Sequence, residues 1–247
     1  MKFFVISYIL FFLTTSFNAN SQEVNVGFEP FPPFINEDST GFAIDMFKAI
    51  SKQSDLQFNY QLMTWARAKK ELKDDRVDLI GMSPKGNETK EYYQYAKDLD
   101  WSFIATVDLF SKKEGNFDIE KLPTKSIGTL IGNADFFAEL SQIPRDKFIE
   151  VSNLKQLVKM MNKERVQTVI FERISMMSTI KKLQLPNIFY KQLIMIPATF
   201  SVKKSQEGNL LQQKLDSLMS HKSIVKYQER LSSYNQLESS GVVNINH

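Results

Sequence analysis

Two α/β lobes of like plan, each built on a parallel sheet and joined by two extended crossings, is the fold this sequence predicts. Three observations carry that prediction. A helix–strand unit at 65–80 (WARAKKELKDDRVDLI) is echoed about ninety residues later at 153–171, so that "KDDRVDLIGM" and "NKERVQTVIF" look like one part used twice. Strands and helices alternate before and after residue 125, which in α/β chains means parallel strands with right-handed crossovers. Two long apolar extended runs, WSFIATVDLFS (101–111) and IMIPATFSV (194–202), separate the halves.

The elements follow in order. Met1-Lys2 and an apolar run from Phe3 to Leu13 precede Ala19-Asn20-Ser21. This is the pattern of a secretory signal peptide covering 1–21, cut before Gln22, and the run is shorter than the ~20 residues a bilayer requires. Val24 to Phe28 reads as a strand. Glu29-Pro30-Phe31-Pro32-Pro33-Phe34 follows, its three prolines holding the chain extended and presenting aromatic rings. A helix over 42–50, a strand over 56–61 and the helix of Trp65, Ala68 and Leu72 come next. Val77 to Ile80 is then a strand, which Gly81-Met82-Ser83-Pro84 is expected to end.

The second half repeats this order. Ser126 to Leu130 is a strand, Asn133 to Leu140 a helix and Lys147 to Val151 a strand. A helix from Asn153 and a strand from Arg165 to Phe171 complete it. Leu210 to Leu218 and Ser223 to Ser232 carry helical spacing, and Glu238 to His247 reads as a loose tail. The expected domains are lobe 1 at 22–105 plus 200–247 and lobe 2 at 106–199.

Composition narrows the function. Without Lys2 the charges sum to +2, which favours neither nucleic acid nor an anionic membrane. With no Cys there is no disulfide, thiolate nucleophile or Cys metal site, and the two His residues, His221 and His247, offer no metal site or hydrolytic triad. No catalytic residue, metal or cofactor is expected. In open α/β sheets ligands bind beyond the C-terminal strand ends. Here those ends are 28–34, 81–90, 130–133 and 171–173, and two facing lobes would bring them to one cleft.

Taken together, VNVGFEPFPPF (24–34), GFAIDMFKAI (41–50), the Trp65 helix with RVDLI, SIGTLIGNA (126–134), ERVQTVIFER (164–173) and FSVKK (200–204) resemble the family 3 extracellular solute-binding proteins, periplasmic receptors of polar amino acid ABC transporters. The resemblance covers almost all of 23–236 and rests on order and spacing, because each motif alone is a common α/β turn. It implies the two-lobed periplasmic-binding-protein-like (type II) fold, a periplasmic monomer, and an inner-membrane permease or sensor as partner. It also implies a ligand held between aromatic side chains, matched by Phe31 and Trp65. The family Arg that clamps the ligand carboxylate is missing: Lys90 or Thr89 falls on its position, and Arg67 is a substitute cation. An ammonium is a poorer geometric match to a carboxylate than a guanidinium. Met82 and Ser83 stand where small hydroxyl residues are usual. Asn133 opens the helix whose N-terminus would take the ligand carboxylate, and Glu172 matches the acid that binds the ligand ammonium. Two other readings stay open: a small dehydratase on this fold, with Glu172 or Glu29 as the acid–base group, and a degenerate receptor that acts through protein contacts.

Overall fold

The computed structural model describes residues 21–232 and 237–245, so the leader proposed for 1–21 lies almost wholly outside the described residues. The first lobe begins with β1 (Gln22–Phe28), α1 (Phe42–Ser51), β2 (Leu56–Leu62), α2 (Trp65–Lys73) and β3 (Leu79–Pro84). β2 and β3 flank β1, and both pairs are parallel. A short α3 (Tyr92–Tyr95) and β4 (Ala96–Asp98) lead to the first crossing strand, β5 (Phe103–Ser111). The second lobe carries β6 (Ile127–Leu130), α4 (Ala134–Ser141), β7 (Phe148–Val151), α5 (Leu154–Asn162), β8 (Thr168–Glu172) and α6 (Arg173–Lys182). There β6 pairs in parallel with both β7 and β8. The 15-residue β9 (Phe189–Lys203) then crosses back, followed by α7 (Gln206–Met219), α8 (Lys222–Ser232) and β10 (Ser240–Val242).

One continuous sheet, in the order β2-β1-β3-β9-β5-β8-β6-β7, runs through both lobes. β5 and β9 are its antiparallel centre, and each contributes to two cores. Phe103 and Ala105 of β5, with Ala198, Phe200 and Val202 of β9, pack in the first core beside Phe28, Phe47 and Leu215. Val107, Leu109 and Phe110, with Tyr190 and Ile196, pack in the second beside Leu157, Val169 and Ile180. The helices form where expected because their apolar stripes match these cores. α5 buries Leu154, Leu157, Val158 and Met161, and Asn153 caps its start by accepting from Gln156 N at 2.8 Å.

Two expectations are corrected. The strand expected to stop at Ile80 runs on to Pro84, because β9 pairs with it across a register shift between Gly81 and Ser83. The tail is not loose throughout: Ser240–Val242 pairs antiparallel with Phe189–Lys191 and Val243 is buried in the second core. Leu237 O accepts a hydrogen bond from Arg173, a side chain buried in a bidentate pair with Asp108 (2.6 and 2.9 Å).

Candidate functional site

The C-terminal ends of β1 and β6 meet at the junction of the lobes. Phe31, fixed by prolines on both sides, is half-buried and packs against both cores; its ring lies 5.4 Å from that of Phe171 at the end of β8. Glu29, two residues earlier, is buried. Its Oε1 accepts from Trp65 N at 3.1 Å and its Oε2 from Asn133 Nδ2 at 3.5 Å, so one carboxyl holds the start of α2 and reaches the other lobe. Gly132 closes the approach. Its φ is +97°, and a Cβ there would fall 2.6 Å from Ala66 N, so only glycine lets the loop after β6 come this near α2. Ala66 N in turn donates to Ile131 O at 3.3 Å.

Trp65 is 2% exposed and donates from Nε1 to Glu88 Oε1 at 2.8 Å. Lys69, one helical turn on, lies 5.5 Å over the Trp65 ring, 3.4 Å from Glu88 Oε1 and 2.9 Å from Gly132 O. This ammonium therefore bonds to both lobes. Glu88, whose other oxygen accepts from Thr89 N, is its counter-charge.

Two carboxyls are strongly shifted. Burial pushes Glu29 up to about 7 against the pull of Trp65 N, Asn133 and Lys69. Burial also raises Glu172 to about 7, opposed by the N–H groups of Ile174 and Ser175, which bond its two oxygens at 2.9 and 2.8 Å. Glu172 is thus the N-cap of α6, at a point where Ile174 packs into the first core.

The residues singled out from the sequence divide. Phe31, Trp65 and Asn133 come together around Glu29, and Glu172 closes the end of β8 beside Phe171. The side chain of Arg67 is 67% exposed and pairs with Glu71 at 3.4 Å; Lys90 is exposed. Ser83 is buried among Ser201 Oγ, Asp98 and Thr199 O, and Met82 packs on the first core. The N-terminus of α4 already holds a carboxylate of the chain: Glu150 Oε1 accepts from Gly132 N at 2.8 Å and Ala134 N at 3.3 Å. Sequence reasoning passed over Lys69 and Glu88. Lys69 stands four residues after Trp65, on the same helical face, and that spacing was its signal. Glu88 sits in a loop and had none.

Known proteins fit this geometry. The model of the bacterial extracellular solute-binding proteins, family 3, matches residues 24–231. No curated protein matches in sequence. A histidine kinase sensor domain with similarity to periplasmic binding proteins superposes with a TM-score of 0.72 at 13% identity, covering 91% of this chain and 99% of its own. A histidine-bound substrate-binding protein of a Streptococcus pneumoniae ABC uptake transporter gives 0.70 at 19%, covering 88% and 93%. The arginine-bound, truncated arginine-binding protein of T. maritima gives 0.65 at 21%, covering 80% and 94%. At such identities the likeness is one of fold.

Proposed function

The chain belongs to the bacterial extracellular solute-binding proteins, family 3, and from that premise we propose that it is a periplasmic receptor for a small polar solute, an amino acid or a related small carboxylate, which it hands to an ABC permease or a sensor. The observation that carries this reading is the Glu29–Trp65–Asn133 set, in which polar groups of both lobes converge beside aromatic walls at the C-terminal strand ends. Half-buried Phe31 supplies apolar surface, Trp65 lies buried beside Tyr92, and Lys69 is a cation that bonds to both lobes. Asn133 and Glu172 are polar contacts from the second lobe. Ser83 supports the strand from behind, and Arg67 and Lys90 remain in solvent.

The mechanism is capture without bond chemistry. Rotation about β5 and β9 opens and closes the lobes, and a solute that binds both faces shifts the population toward the closed form. Closure excludes water and strengthens each polar contact. A thermal-shift screen of amino acids and small acids on the processed protein tests this. A stabilising solute recovered unchanged, with a smaller radius of gyration by scattering when bound, supports the receptor. A solute converted during incubation would instead indicate the dehydratase, and a screen with no response would favour action through protein contacts.

A further inference from the structure

A cavity of about 530 Å3 opens beside the Glu29 cluster, between the loop after β1 and helices α5 and α6. Its volume falls within the ~300–1,000 Å3 of pockets that enclose drug-sized ligands. Both lobes build it, and their walls differ in sign. The first lobe presents buried Glu29 and exposed Glu37 and Asp38; the second presents Lys155 and Lys182, with leucines between. The walls are near enough to interact: the Thr40 hydroxyl holds the Asp38 carboxyl below its usual range, and the charge of Lys182 adds to that. Among the described residues, no ion pair takes up either ammonium.

The inner cleft has little left for an anion. The N-terminus of α4 is taken by Glu150, and the Lys69 ammonium is matched by Glu88. Each carboxylate of a solute must meet a cation or polar donor on leaving water, since an unpaired desolvated charge is very costly. Lys155 and Lys182 are the cations that line the cavity. A free α-amino acid with an uncharged side chain carries its ammonium and carboxylate on one carbon and cannot set them against opposite walls; a longer solute can.

We propose, resting on the receptor reading, that the solute extends into this cavity and is an elongated dipole of about dipeptide size, with a cationic group against Glu29 and the Glu37–Asp38 wall and an anionic group against Lys155 and Lys182. The two walls then act as complementary halves of one site, each on its own lobe, so the dipole itself draws the lobes together.

Calorimetric titration with glycyl-glycine and alanyl-alanine, against free glycine and alanine, tests the proposal. A dipeptide should bind at least about tenfold more tightly than its free amino acids. Lys155→Ala/Lys182→Ala should remove about tenfold of that affinity, as should Glu37→Gln/Asp38→Asn, while both double variants keep the melting temperature of the unaltered chain. Free amino acids that bind as tightly as the dipeptides, and equally in both double variants, overturn the proposal and leave the receptor standing. No binding of either class overturns the receptor reading with it.

Discussion

Glu29 and Glu172 are both buried, and burial raises both carboxyls to about 7, yet they are satisfied in opposite ways. Glu172 turns both oxygens onto backbone N–H groups of its own helix. Glu29 gives one oxygen to the backbone of another element and the other to a side chain of the opposite lobe. The first is a local cap that stays made however the lobes stand. The second is a contact between lobes, which separation of the two faces breaks. Equal burial and equal titration therefore go with different bonding: one carboxyl caps a helix within a lobe, the other joins the two lobes.

The largest effect that could break this comparison is one of pH. Each carboxyl is protonated more readily in the folded chain than in the unfolded one, whose carboxyl titrates near 4.5. Its stabilising contribution is therefore complete below pH 4.5 and is lost as pH rises through about 7, on the order of 3 kcal/mol for each group. Thermal melts from pH 5 to pH 8 should show falling stability. Glu29→Gln should raise the pH 8 melting temperature, because Oε1 can still accept from Trp65 N and the Asn133 amide can flip. Glu172→Gln should raise it less or lower it, since its amide can accept only one of two N–H groups. Equal gains would mean that the two carboxyls are not distinguished by their partners.

Glu172→Ala comes next. It leaves two buried N–H groups without acceptors and should cost about 2 kcal/mol in denaturant unfolding near pH 6. Lys69→Met is smaller, about 1 kcal/mol, because it strands the Glu88 carboxylate in a dry site. Adding Glu88→Gln should recover most of that loss, since the new amide oxygen can still accept from Trp65 Nε1; a double variant as weak as the single would sever the two residues. Arg67→Ala should be the smallest, under about 0.5 kcal/mol, as expected for an exposed pair within one helix.

The sequence made the repeated units legible because their packing is local. Trp65, Ala68 and Leu72, like Leu154, Leu157, Val158 and Met161, mark a buried stripe by spacing alone. The β3 extension was hidden because Gly81 to Pro84 has the composition of a turn, and it is a distant strand that recruits these residues. The candidate site was half legible. Phe31, Trp65, Asn133 and Glu172 sit at strand or helix ends that the alternation locates. Four cations crowd α2, and composition cannot say that Lys69 rather than Arg67 lies over the Trp65 ring. Glu88 and Glu150 act through contacts made only once the chain is folded, and neither has a pattern of its own.

The pairing of β10 with β9 has a practical side. The folded chain starts at β1, inside the sheet of the first lobe, and is stitched by its last strand to the second, where Val243 is buried. Its two ends thus lie on different lobes. A dye pair placed near Gln22 and on exposed Asn244 would convert any swing of the lobes into a change of energy transfer, giving a direct optical readout of solute capture.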